Sequence, residues 1–238
     1  MWISSKSSLK PPYYKKTFSK EIMPLSTNMS TPFGHTPINE DSYIRFANFI
    51  PELLDVDIYF NDTLKVRNLR YGEETSYISF SPGDYKITIF STIDNAQPLV
   101  ETSIEITTPG LILTIPLHSL DKEELNIIED NALIIPNEIF VKFVNLSPNS
   151  PPLNFIFNLV DIFRNIIYDY SSNYKLIEKA PNYHIIIQNA QTNKILYDLP
   201  NIVLEPGNAY TFFAIGIMDG DPPFKLVVSL DGSSYLTD

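Results

Sequence analysis

The chain contains no cysteine, so no disulfide staples it, no thiolate acts as a nucleophile and no cysteine-ligated zinc holds it together. That absence is compatible with any redox compartment. Histidine is almost as scarce: His35, His118 and His184 lie far apart, with no His-x-His or His-Glu-x-x-His spacing to suggest a metal triad. Glycine is short as well, eight residues against nineteen prolines, and no Gly-x-Ser-x-Gly elbow, phosphate loop or dinucleotide fingerprint occurs. Hydrolytic and nucleotide-dependent readings therefore lose their usual support, and the expectation is a non-enzymatic protein with no cofactor. Long apolar runs are missing too. No stretch approaches the length of a membrane span, and the start, Met1-Trp2-Ile3-Ser4-Ser5-Lys6, is not a charged region followed by an apolar one. The expectation is synthesis in the cytoplasm without use of the general secretory route.

What is present is apolar and acidic. With 44% hydrophobic and 13% aromatic residues, 238 residues can bury one large core or two small ones. The formal charge of −11 is uneven: residues 1–42 carry +2, whereas residues 43–130 hold six basic against fifteen acidic side chains and residues 139–238 hold six against nine. An acidic body of this kind is repelled by nucleic acid and by anionic lipid.

The most informative stretch is Tyr43 to Asn61. Ile44 and Phe46 alternate with Tyr43, Arg45 and Ala47, then Val56, Ile58 and Phe60 alternate with Asp55, Asp57 and Tyr59. This is the period of a half-buried strand, met twice around a turn at Pro51. The stretch returns as Phe140 to Asn158. A shift of 97 residues places Phe46 on Phe143, Asn48 on Asn145, Pro51 on Pro148, Phe60 on Phe157, Asn61 on Asn158, Tyr71 on Tyr168 and Tyr77 on Tyr174. Tyr85, Ile87 and Ile89 fall on Tyr183, Ile185 and Ile187 after one inserted residue. Register kept over that distance implies two tandem copies of one domain, each of ordinary single-core size.

The residues of the first copy, Arg45, Asn48, Pro51, Val56-Asp57-Ile58-Tyr59, Asn61, Tyr71-Gly72, Tyr77 and Pro82-Gly83-Asp84-Tyr85, resemble the bacterial domain of unknown function 4397. The second copy is a drifted one, with Asn154 in place of Asp57, Asp169 in place of Gly72 and Pro181 in place of Gly83. The resemblance implies tandem immunoglobulin-like β-sandwiches of the kind found in envelope or surface proteins, and brings no reaction and no catalytic residues with it.

The resulting expectation is an all-β chain: an extended or disordered N-terminal arm over 1–42, a first sandwich over 43–130, a short linker over 131–138, and a second sandwich over 139–238. Leu133, Ile134 and Ile135 predict a packed linker and a fixed relation between the domains. Strands are predicted near 43–49, 55–60, 63–68, 74–80, 84–91, 99–107, 110–116 and 124–129, and near 139–146, 153–158, 161–167, 172–178, 182–188, 195–204, 209–217 and 224–230. Ser119 to Leu125 reads as a capped helical turn.

Two functional expectations follow. In the second copy Tyr59 becomes Ile156, Thr88 becomes Ile186 and Tyr43 becomes Phe140. An outer face turning apolar points to a covering partner. Together with Trp2, Tyr13, Tyr14 and Phe18 of the basic arm, it makes the leading expectation a structural or interaction protein that associates with itself or joins a surface layer, strand addition by the arm being one route. With no export signal, a spore coat would suit the family resemblance. The alternative is a carbohydrate- or calcium-binding module using the outer face of the first domain, with Asp55, Asp57 and Tyr59 as its candidate residues.

Overall fold

The computed structural model describes residues 41–52, 55–120 and 125–236, together with the backbone of 16–18. Every long element among the described residues is a strand. The first domain comprises β2 (Ser42–Asn48), β3 (Val56–Phe60), β4 (Thr63–Leu69), β5 (Ile78–Phe80), β6 (Gly83–Ser91), β7 (Val100–Ile106), β8 (Ile112–Leu117) and β9 (Ile128–Glu129), and β1 (Lys16–Phe18) precedes it. The second comprises β10 (Ile139–Asn145), β11 (Leu153–Phe157), β12 (Val160–Ile166), β13 (Tyr170–Ser171), β14 (Lys175–Ile177), β15 (Tyr183–Asn189), β16 (Ile195–Ile202), β17 (Asn208–Ile215) and β18 (Lys225–Leu230).

Each domain is a sandwich of two sheets. The orders β7-β6-β3-β4 and β5-β2-β8-β9 in the first are matched by β16-β15-β11-β12 and β14-β10-β17-β18 in the second, where β13 also joins β10. In both, the first strand of the domain runs parallel to its next-to-last, β2 with β8 and β10 with β17. The alternating residues read from the sequence fill the two interiors: Ile44, Phe46, Val56, Ile58, Phe60, Ile87 and Ile89 in one, Val141, Phe143, Leu153, Phe155, Phe157, Ile185 and Ile187 in the other. Each such side chain stabilises the fold by about 1.5–3 kcal/mol through removal of apolar surface from water. The repeat is thus a repeat of structure.

Polar residues that recur at the 97-residue spacing recur because they clamp the backbone. Buried Asn48 donates to the Leu69 carbonyl and accepts from the Ile50 amide, and Asn145 does the same with Ile166 and Ser147. Asn61 accepts from the Lys86 amide and Asn158 from the His184 amide, each from a two-residue hairpin turn. Both turn residues take positive φ, Asn61-Asp62 in one copy and Asn158-Leu159 in the other, the geometry that follows the right-handed strand twist.

The joint between the domains is a face of each sandwich. Ala47 and Phe49 follow β2 outward, Val144 and Leu146 follow β10, and with Ile128, Phe213 and Ile215 they form a third buried apolar cluster. Phe49 and Phe213 have ring centroids 5.2 Å apart. The linker does not hold the domains as expected: Leu133 is 74% and Ile135 40% exposed. The sheet faces pack against each other directly, and the connecting segment is left at the surface. The expected turn at Ser119 to Leu125 falls largely outside the described residues.

Candidate ligand face

Alternation along β3 and β6 fixes what the outer face of the first domain presents. Val56, Ile58 and Phe60 point into the core, so Asp57 and Tyr59 point out; Ile87 and Ile89 point in, so Lys86, Thr88 and Phe90 point out. The antiparallel register sets Tyr59 beside Thr88 and Asp57 beside Phe90. One diagonal step brings the Tyr59 and Phe90 rings together edge to face, 5.5 Å between centroids. Register with β7 adds Glu101 opposite Thr88.

Tyr59, Lys86, Thr88, Phe90 and Glu101 line an open cleft of about 310 Å³, with Asp62 and Asn95 completing its rim. Lys86 makes an ion pair with Glu101 at 3.1 Å and lies 3.9 Å from Asp62. Thr88 is 5% exposed, and its hydroxyl has no hydrogen-bond partner among the described residues. A buried hydroxyl left unpaired costs about 1–3 kcal/mol.

Of the residues singled out from sequence, Tyr59 lines this cleft; Asp55 and Asp57 do not. Asp57 accepts a hydrogen bond from the Asn68 amide at 2.7 Å, where Asn68 has φ 52° in an irregularity of the β3–β4 pairing. Asn154 holds Asn165 in the same way in the second copy. The charge was free to change because only the acceptor oxygen is used. Asp55 lies just before β3, where its carbonyl accepts from the Thr92 amide. No group of three or more histidine, aspartate or glutamate side chains gathers as a metal site among the described residues.

The apolar set is divided by the fold. Ile156 and Ile186 are cross-strand partners on the outer sheet of the second domain, where they are 6% and 7% exposed. Phe140 belongs to β10 in the other sheet and is half-buried beside Leu176. Trp2, Tyr13 and Tyr14 lie outside the described residues. Phe18 lies in β1, which adds a short parallel strand to the edge of β7, Lys16 opposite Ile104 and Phe18 opposite Ile106. His184, expected at the surface, pairs there with Asp198 at 2.7 Å, the counterpart of Lys86 with Glu101.

Reasoning from sequence missed a second polar group altogether, inside the joint. Arg45 and Thr114 on the outward side of β2 and β8 meet Lys142 and Thr211 on β10 and β17, with Tyr77, Tyr174, Asp130 and Asp231 between them. Tyr77 donates to Asp130 at 2.7 Å and Thr114 donates to the same carboxylate oxygen; Tyr174 and Thr211 donate to Asp231 at 2.6 and 2.8 Å. The repetition of Tyr77 as Tyr174 was visible in the sequence. Its partner aspartates stand 101 rather than 97 residues apart and were not singled out.

Burial opposes the Arg45 charge, but Glu74, Tyr77, Asp130 and Asp231 outweigh it and hold the guanidinium above its ordinary value. Burial wins at Lys142 and lowers it. Both tyrosines are raised, by burial first and by the neighbouring carboxylates second.

Among solved structures, the chain is similar to a family 26 carbohydrate-binding module from Eubacterium rectale Amy13K, with 8% identity over 81% of this chain and 99% of that one and a TM-score of 0.27. A family 41 carbohydrate-binding module from streptococcal virulence factors is similar at 12% identity over 83% and 100%, with a TM-score of 0.24. At these levels nothing of a ligand carries over. No curated protein matches the sequence. The model of the domain of unknown function DUF4397 matches residues 42–155 and 139–236, and the chain, with its two like sandwiches in tandem, belongs to that family.

Proposed function

We propose that the protein is a non-catalytic binding module that takes a carbohydrate on the outer face of its first domain. The observation that carries this reading is the Tyr59–Phe90 ring pair beside the Lys86–Glu101 ion pair in an open cleft. A pyranose presents an apolar C–H face, which rests on aromatic rings, and a rim of hydroxyls, which need donors and acceptors such as Asn95 and the Lys86–Glu101 pair. At about 310 Å³ the cleft is at the small end for ligand sites, so it suits one or two sugar units. The second domain lacks this chemistry at the equivalent place, where Ile156 and Ile186 stand side by side. One copy binds and the other serves as scaffold.

The self-associating or surface-layer reading, spore coat included, draws no support from the comparisons. Its three body residues are split between two sheets, and two of them are buried. The calcium reading has no ligand set among the described residues.

Isothermal calorimetry with a panel of neutral mono- and oligosaccharides tests the proposal. At least one sugar should bind, and Tyr59→Ala should weaken it at least tenfold while the thermal midpoint of the protein changes little. Absence of binding across the panel at millimolar sugar, or equal affinity in Tyr59→Ala, would remove this reading.

A further inference from the structure

The ionic group in the joint is placed unlike a structural clamp. Asp130 and Asp231, both 0% exposed, follow the last strands of their respective domains, yet both reach one nitrogen of Arg45, at 3.5 and 3.4 Å. Lys142 lies 3.7 Å from the second oxygen of Asp130, an oxygen with no hydrogen-bond partner among the described residues, and donates to the Glu129 carbonyl. Glu74 approaches Arg45 from the first domain at 3.6 Å and accepts from Ser229 of the second. Two cations therefore face three carboxylates in a region that excludes water.

We propose that this joint is a proton-sensitive latch: Asp231 holds a proton while the two sandwiches are packed face to face, and its loss to solvent favours their separation. The groups facing Asp231 are Arg45 from β2, Asp130 after β9, Lys142 from β10, and the hydroxyls of Tyr174 and Thr211. Tyr77 and Tyr235 stand one layer further out, Tyr77 accepting from the Gly232 amide. With Asp231 protonated, the proton is donated to the hydroxyl of Tyr174 or Thr211, which turns to accept it, and two cations balance two carboxylates. With it ionised, one negative charge is left over in the dry joint, and separation returns it to water.

Burial, with Asp130 second, pushes Asp231 up to about 7, against the pull of Lys142, Tyr174 and Arg45. Separation restores an ordinary carboxylate. The sign follows: closure is favoured fully below the ordinary carboxylate range, and the advantage is lost as pH rises through about 7. One proton per closure changes the opening constant about tenfold per pH unit within that window. From pH 5 to pH 8 the constant should rise roughly a hundredfold, nearly all of it below pH 7.

The absence of cysteine gives a clean assay on the full chain. Ala47→Cys places a thiol in the joint, and Ala214→Cys places one in the core of the second domain. Labelling by a small neutral thiol reagent, normalised at each pH to the chain unfolded in urea, yields the opening constant at either site. The joint probe should show the hundredfold rise and the core probe should not. Asp231→Asn, a neutral copy of the protonated state, should flatten the joint profile. Glu74→Gln, which removes a charge at the edge of the joint without touching Asp231, should move the profile to lower pH and serves if Asp231→Asn fails to fold. A flat native profile, equal pH dependence at both probes, or a Glu74→Gln profile superimposable on the native one would overturn the latch. None of these outcomes bears on sugar binding at Tyr59.

Discussion

Asp57 shows how a residue can look functional in a sequence and be structural in the fold. An acidic side chain on the outer face of a strand invites a ligand role, but its oxygen is occupied by the Asn68 amide, and Asn154 does the same work uncharged. Asp57→Asn should therefore change stability by less than about 0.5 kcal/mol, whereas Asp57→Ala should cost about 1 kcal/mol by leaving that amide without its acceptor. Urea denaturation of the two variants distinguishes them, and equal losses would refute this account. Leu159 is the opposite case. It has φ 68° and is 84% exposed, a conformation in which a leucine is strained and buries nothing. Leu159→Gly should raise stability by about 0.5–1 kcal/mol, read from the shift in the urea midpoint. Gly72, replaced by Asp169 in the second copy, has the same kind of local cause. At Gly72 a side chain would meet the Lys225 ammonium at 2.8 Å, whereas Asp169 accepts from Asn126 and pairs with His118.

At the level of strands, the sequence was legible where a strand is long and one face is buried. The predicted ends of β2, β3, β4, β6, β8, β10, β11 and β15 fall within one or two residues of those observed, because a slip of one residue would turn the whole apolar set outward. The short elements were read too long: 74–80 shrinks to β5 (Ile78–Phe80) and 124–129 to β9 (Ile128–Glu129). At the start of the former, Thr75 and Tyr77 spend their polar groups on Phe46 and Asp130, contacts distant in sequence. The candidate face was half legible for the same reason. Alternation marks Tyr59 as outward, but its neighbours Phe90 and Glu101 are set by registers between three strands, and Asp62 and Asn95 by the turns beyond them. Asn48 and Asn145 give a test at this scale, since each ties the loop after its domain's first strand to the end of the third. Either one replaced by alanine should cost about 1–3 kcal/mol through buried groups left unpaired, with matching losses in the two domains by calorimetry if the repeat is one of structure.

Over the whole molecule, the two domains share more than a linker. Phe49 of the first packs on Phe213 of the second, and Arg45 of the first sits between an aspartate of each. Neither domain completes its outer surface alone: removing the partner would bare Val144, Leu146, Phe213 and Ile215 on one side and leave Asp231 without Arg45 on the other. The chain should consequently unfold in one calorimetric transition rather than two. Phe49→Asp puts a charge into the apolar part of the joint, outside both domain cores, and an unpaired buried charge costs several kcal/mol. The domains would escape that cost by separating, each keeping its own core of aligned phenylalanines and isoleucines. Scanning calorimetry of Phe49→Asp should then resolve two transitions, where the native chain at pH 5 should show one. Persistence of a single transition in the variant would mean that the domains stabilise each other by another route than this face.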